Sequence, residues 1–289
     1  MKTAFERIIV VGSGKFTLEC ALRIKNIFKD VQVYEYTASS ISVLKELCNV
    51  KGIAHKPLDK KHMDEELEKD SQESKILIVS AFNTYLFKKS LVEKDSVVII
   101  NYHNAYLPYH PGRNAEAWCI YENDKTSGVT WHYVSEDVDA GNIIIKKQFE
   151  ISDDITSIQL LQQQTQTGYE LFDQFIDRLI CEGLVEGQIQ KDFKKERMHY
   201  SYDVPNEGQL DLSWDIDKMY RFLRAMDYGK INLMGVPEVW YGMHKFDIVR
   251  YKLRESGEYC DSVYIDNNKM HVIKGGKELI LTIKDCGGK

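Results

Sequence analysis

The chain has 289 residues, 43% of them hydrophobic and 28% charged, with 5 Pro, 18 Gly and a formal net charge of -6. This profile excludes long disorder and the collagen-like and low-complexity classes. The acidic balance leaves no global positive field to draw the protein onto phosphate backbones. No apolar run approaches the ~18–20 residues of a bilayer-spanning helix. The opening MKTAFERIIVVGSGK enters a strand-like stretch at once and lacks the apolar core and cleavage site of a signal peptide. A cytoplasmic protein with no membrane partner is therefore expected. Cys20, Cys48, Cys119, Cys181, Cys260 and Cys286 are scattered without a C-x-x-C pair, so neither a metal site nor a disulfide framework is expected.

Up to about residue 100, short β-rich runs alternate with helix-period segments. Ile8-Ile9-Val10-Val11 is an apolar run that suits a strand buried on both faces. A helical pattern follows from Phe16 to Phe28, then a strand at Val31–Tyr34, a helix at Ile41–Val50 and a weaker strand at Ile53–His55. Lys60–Asp70 reads as a charged surface helix, with Ile76–Val79 and Val97–Ile100 as further strands. Such alternation implies right-handed crossovers and a mostly parallel α/β sheet, Rossmann-like, covered on both faces.

Two strand-like stretches, Gly128–Val134 and Asn142–Ile151, flank the acidic turn from Glu136 to Gly141. One long helical pattern runs from Ser157 to Glu182. The charged stretch Lys191–Arg197 reads as part of a linker over 191–202. It divides a catalytic segment, 1–190, from a small, mostly β segment, 203–289, with a helix near Ile216–Met226 and five short strands separated by turn residues.

Gly12-Ser13-Gly14-Lys15 joins the first strand to the first helix. Thr17 stands where a dinucleotide fingerprint has its third glycine, although Glu35 lies near the end of the second strand, and no Walker A loop is present. Two readings stand: a tight strand-to-helix turn, or a cradle in which Gly12, Ser13 and Gly14 hold an anionic substrate group at a helix N-terminus.

The chemistry-bearing block runs from Asn101 to Gly141. Asn101 and His103 are two apart, so in extended backbone they share one face and can converge on one small group. An amide donor, an imidazole and the carboxylate of Asp139 suit attack on a carbonyl. The amide stabilises the oxyanion, the imidazole moves a proton and the carboxylate supports the imidazole. A structural histidine beside a solvated acidic turn explains the same residues on their own.

The stretches NYHNAYLPYHPGRNAEAW and SGVTWHYVSEDVDAGNII resemble the 10-formyltetrahydrofolate-dependent formyltransferase family. That family includes glycinamide ribonucleotide transformylase, methionyl-tRNA formyltransferase and the sugar N-formyltransferases. The resemblance rests on Asn101, His103, Leu107, Pro108, Gly112, Gly128-Val129-Thr130, His132, Asp139 and Gly141, and on the gap of 36 positions from His103 to Asp139. It covers residues 5–185, with a weaker likeness beyond. Ala105 stands where the family usually has Ser.

The resemblance implies Asn101, His103 and Asp139 as catalytic residues and 10-formyltetrahydrofolate as cofactor. The pterin would lie against Phe82, Thr84, Tyr85 and Leu86 and the loop holding Glu136, Val138 and Gly141. Tyr106, His110, Arg113 and Asn114 would face the acceptor, as would His132 unless it is a core histidine. Residues 203–228 resemble the opening of the C-terminal domain of the methionyl-tRNA and sugar enzymes.

From residue 201 onward the chain carries 13 Lys+Arg against 14 Asp+Glu, too nearly neutral for the several phosphate contacts that tRNA binding needs. A small-molecule amine acceptor is therefore expected: an amino-sugar nucleotide or an amino acid, free or carrier-bound. A tRNA acceptor, a formyltetrahydrofolate hydrolase and a non-catalytic folate-binding module are the alternatives. The sequence leaves the oligomeric state open, a homodimer included.

Overall fold

The structure is a computed structural model that describes residues 2–37, 42–190, 198–257 and 260–288. The charged run 191–197 lies outside the described residues. Two compact units are present: 1–112, 128–148 and 163–197 form the first, and 113–127, 149–162 and 198–289 the second.

The first unit is built on a seven-stranded sheet. Its strands are β1 (Arg7–Gly12), β2 (Gln32–Tyr36), β3 (Ala54–Leu58), β4 (Ile76–Ala81), β5 (Val97–His103), β6 (Thr126–Tyr133) and β7 (Ile143–Glu150), in the order β3-β2-β1-β4-β5-β6-β7. The first five pair with one another in parallel, and β6 turns antiparallel to β5. Helices α1 (Gly14–Lys25), α2 (Val43–Val50), α3 (Lys60–Glu73) and the short α4 (Lys89–Val92) supply the crossovers. The Rossmann-like, mostly parallel sheet expected from the alternation is present. Strand order reverses between β1 and β4, and ligands of such sheets bind outside the carboxyl ends of strands at that point.

Period-two alternation decides what each face buries. Ile9, Val11, Ile76, Ile78, Val97 and Ile99 meet Met63 and Leu67 of α3 on one face. The opposite face carries an aromatic cluster in which Trp131 packs against Phe16, Tyr102, Phe172 and Phe175. Phe172 and Phe175 belong to α6 (Ser157–Glu182), whose bounds match the sequence pattern. Trp131 is fully buried, and its indole N–H donates to the Gly168 carbonyl at 2.8 Å.

The second unit holds a six-stranded sheet of β8 (Gln209–Leu210), β9 (Glu238–Tyr241), β10 (His244–Glu255), β11 (Ser262–Asp266), β12 (Lys269–Lys274) and β13 (Lys277–Gly288), ordered β11-β12-β13-β10-β9-β8. Helix α7 (Ile216–Ala225) begins at Asp215, whose carboxylate accepts from the Lys218 amide at 2.7 Å. Met219, Phe222 and Leu223 bury one face of α7 against Val272, Leu279 and Leu281. The mostly β character was legible from the sequence; helix α5 (Ala115–Tyr121), which packs against α7, was not. Residues 113–127 and 149–162, assigned by the sequence to the catalytic segment, cluster with this unit.

Removing the Trp131 side chain empties the centre of the aromatic cluster and deletes its hydrogen bond. Trp131→Ala is expected to cost about 3–5 kcal/mol, read as a lower urea midpoint.

Candidate functional site

Strand β5 delivers the first two groups. Asn101 and His103 follow Val97 and Ile99 on the same face, so they continue a buried apolar row into polar chemistry at the carboxyl end of the strand. In register, Ser80 of β4 lies opposite Asn101 on one side and His132 of β6 on the other. The Ser80 hydroxyl donates to Asn101 Oδ1 at 2.7 Å, and Asn101 Nδ2 lies 3.1 Å from His132 Nε2. His103 Nε2 lies 2.9 Å from the His110 carbonyl oxygen. A carbonyl only accepts, so this nitrogen carries the hydrogen and Nδ1 is the position left to gain a proton.

The third group arrives on the turn between β6 and β7. Asp139 holds a left-handed conformation, φ 55°, which a non-glycine residue adopts at a cost. Two contacts brace it: Gln190 Nε2 donates to the Asp139 and Gly141 carbonyls, each at 2.7 Å. Gly141 itself lies against β6, where a Cβ would stand 1.7 Å from the Tyr133 carbonyl oxygen, so no larger residue fits. The carboxylate turns inward. Its Oδ2 accepts from the Gly112 amide at 2.8 Å and lies 3.5 Å from His103 Nδ1, while Oδ1 lies 3.5 Å from His132 Nε2. Asn101, His103 and Asp139 thus converge in one buried polar cluster, with His132 at its centre.

Burial lowers the His103 pKa, with Asp139 acting in the opposite direction. For Asp139, burial pushes upward, but His103, His132 and the Gly112 amide together hold the carboxyl well below the usual carboxylate range. An ionised Asp139 facing a neutral His103 is the resting arrangement at neutral pH.

Segment 82–86 leaves the end of β4 beside this cluster. Phe82 is 39% exposed at φ 60°, Leu86 is 69% exposed and Thr84 is also exposed. Tyr85 instead points into the core, its hydroxyl donating to Asp64 and its ring packing on Tyr36 and Phe87. The 136–141 turn is tied to this region by Lys89, which pairs with Glu136 at 2.8 Å. Val138 is 40% exposed.

The glycine turn braces the same end of the sheet. A Cβ at Gly12 would stand 1.9 Å from the Ala81 carbonyl oxygen, and the Ser13 amide donates to the Phe82 carbonyl at 3.2 Å. Gly14 opens α1 at φ 73°. The close approach accounts for Gly12 without a ligand. Glu35 is engaged by Ser42 and by His55 Nε2, the latter at 3.0 Å, so it is not free for a ribose.

Tyr106 lies under Lys146, whose Nζ stands 3.9 Å from the ring centre and donates to the Leu107 carbonyl at 2.6 Å. Arg113 and Asn114 belong to the second unit, where the Arg113 amide donates to the His199 carbonyl at 2.9 Å and Asn114 opens α5.

The sequence model described as formyl transferase matches residues 30–176, half of the chain. The chain belongs to the formyl transferase family. A methionyl-tRNA formyltransferase of Clostridium tetani is 27% identical over 182 residues, covering 62% of this chain and 56% of that protein. A GDP-perosamine N-formyltransferase of Brucella melitensis is 27% identical over 138 residues, covering 47% and 49%. The chain thus spans about half the length of the curated relatives it matches. The crystal structure of an N-formyltransferase from Helicobacter canadensis, in complex with folinic acid and dTDP-3-aminofucose, is similar with a TM-score of 0.74 at 18% identity. It covers 96% of this chain and 99% of that one, a likeness of fold.

Within this member of the formyl transferase family, motif spacing pointed to the residues that meet at the cluster but not to most of those that hold them. Ser80 and Gln190 were not foreseen, because strand register and a contact spanning 49 to 51 positions leave no local pattern; Gly112 stood in the motif, but its amide's bond to Asp139 was not foreseen.

The charge state of the cluster sets an acid limit. The unfolded chain takes up a proton at His103 near the ordinary imidazole value of about 6.5, whereas the native site resists it. Stability present above that value is lost as pH falls through the lowered native value. Asp139 adds a further loss below about 3.9 by the same argument. The urea midpoint is expected to fall between pH 7.5 and 5.5, and to fall less in His103→Gln.

Proposed function

We propose that the protein transfers a formyl group from 10-formyltetrahydrofolate to the primary amine of a small acceptor, an amino sugar carried on a nucleotide. The observation that carries this reading is the convergence of Asn101, His103 and Asp139. The residues present suit the folate. Phe82, Leu86 and Val138 leave apolar surface exposed on segments joined by the Lys89–Glu136 pair, the kind of wall against which a flat heterocycle packs. When bound, the folate would supply the formyl carbon, carried on its N10, and N10 would be the leaving group that takes the proton given up by the acceptor amine.

The chain's own groups then have distinct tasks. Asn101 commits one Nδ2 hydrogen to His132 and keeps the other for the oxygen on which charge develops. His103 gains a proton at Nδ1, where Asp139 stabilises the resulting charge, and returns it. Burial excludes bulk water from His103 and Asp139, whose side chains are 5% and 7% exposed, and so strengthens each of these interactions.

For the acceptor, the named activity of the Brucella relative and the near-neutral charge after residue 200 both favour an amino-sugar nucleotide over tRNA. An amino acid, free or carrier-bound, belongs in the same acceptor panel. No helix among the described residues is long and apolar enough to cross a membrane.

The test is a formyl-transfer assay with 10-formyltetrahydrofolate over amino-sugar nucleotides, aminoacyl-tRNA and amino acids. Turnover is expected with an amino-sugar nucleotide. Release of formate without any amine would instead show a hydrolase. Asn101→Ala and His103→Ala are each expected to lower the transfer rate by about 10²–10³-fold while circular dichroism stays native; near-normal turnover in either refutes its assigned role.

A further inference from the structure

An asparagine amide can present either its oxygen or its nitrogen, and only the nitrogen stabilises negative charge. What fixes that choice at Asn101 can be traced through neighbouring contacts. It begins at Asn83, whose side chain clips onto the Tyr85 backbone: Oδ1 accepts from the Tyr85 amide at 2.9 Å, and Nδ2 donates to the Tyr85 carbonyl at 2.9 Å. The backbone therefore dictates which end of Asn83 is which. Its Nδ2 also donates to Ser80 Oγ at 3.2 Å. Ser80 thereby receives one hydrogen and directs its own toward Asn101 Oδ1, at 2.7 Å.

The same orientation follows from the other end. His132 Nδ1 lies 2.8 Å from the Tyr133 carbonyl oxygen, an acceptor only, so Nδ1 carries the hydrogen and Nε2 of the neutral ring holds a lone pair. That lone pair accepts from Asn101 Nδ2 at 3.1 Å. Asp139 Oδ1 stands farther from the same nitrogen, at 3.5 Å, outside ordinary hydrogen-bond range. Every hydrogen bond from Asn83 to Tyr133 points one way.

We infer that Ser80 is a positioning residue: with His132 it locks the Asn101 amide so that Nδ2, not Oδ1, faces the reacting carbonyl. Ser80 is 1% exposed and His132 is 2% exposed, so water does not compete for either bond. Hydrogen bonds aligned head to tail in a low-dielectric interior also polarise one another, which strengthens the exposed N–H of Asn101 as a donor. Asn83 acts at one further remove, setting the hydrogen of Ser80. This assignment rests on the proposed role of Asn101, but the hydrogen-bond direction can be read without any activity.

Two measurements on the intact protein test it. In ¹⁵N-resolved NMR at pH 7.5, the His132 ring is expected as the neutral Nδ1–H tautomer, and Ser80→Ala is expected to convert this single form into a mixture. In the formyl-transfer assay, Ser80→Ala is expected to lower kcat by about 10–100-fold, the scale of a misplaced catalytic group, with KM values held within about twofold. Ser80→Thr, which keeps the hydroxyl, should recover most of that loss.

An Nε2–H tautomer or an imidazolium at His132 in the wild type would overturn the inference. So would undiminished kcat in Ser80→Ala, or equal losses in the alanine and threonine variants with the His132 tautomer unchanged in both. If Asn101→Ala keeps full activity while His132 shows the expected tautomer, the fault lies in the catalytic reading of Asn101, and the rate effect assigned to Ser80 falls with it.

Discussion

The site depends on one buried carboxylate. An isolated ionised carboxylate taken out of water carries a large penalty and would ordinarily protonate. Asp139 is held ionised by the Gly112 amide, which donates to it, and His103 Nδ1 stands beside it as the position that takes up a balancing proton. The backbone is bent to achieve this: a left-handed aspartate, a glycine pressed against the Tyr133 carbonyl, and a glutamine holding two successive turn carbonyls. Strain of this kind costs of order 1–3 kcal/mol per residue and persists only where the surroundings determine it. The turn is shaped by the need to aim one side chain inward.

Much of this could be read from the letters, for identifiable reasons. Apolar runs such as Ile8-Ile9-Val10-Val11 and Ile76-Leu77-Ile78-Val79 mark strands covered on both faces, and the structure places them as β1 and β4. The spacing of Asn101 and His103 predicted a shared face because side-chain period in a strand is two, and β5 extends through both. Helix α6 matched its pattern over 26 residues, long enough for periodicity to be unambiguous.

What escaped reading was short or non-local. Helix α5 has seven residues, and Asn114 starts it from a left-handed conformation without a side-chain cap, so neither length nor a capping signal announces it. The composition of the second unit, which gathers 113–127 and 149–162 with the tail, depends on packing between distant segments. Ser80 lies one residue past the apolar run Ile76–Val79 that marked the strand; only the pairing of β4 with β5 sets its hydroxyl beside Asn101. Glu35 shows the converse. Its place near the end of β2 matches the acidic position of a dinucleotide fingerprint, but the fold gives it His55 and Ser42 as partners.

The direction of proton traffic follows from the same geometry. His103 cannot offer both ring nitrogens equally, since the His110 carbonyl holds the hydrogen on Nε2. A proton arriving from an attacking amine must therefore settle on Nδ1, the nitrogen that faces Asp139. Burial keeps that nitrogen empty at rest, and the carboxylate makes its filling tolerable. A base that starts neutral and a counter-charge that is already ionised form a ready sink for one proton. Were Asp139 protonated at rest, the imidazole would lose its counter-charge. Were His103 charged at rest, it could accept nothing. Burial keeps His103 uncharged, while the partners of Asp139 override burial and keep it ionised, and together these set the order in which the two groups act.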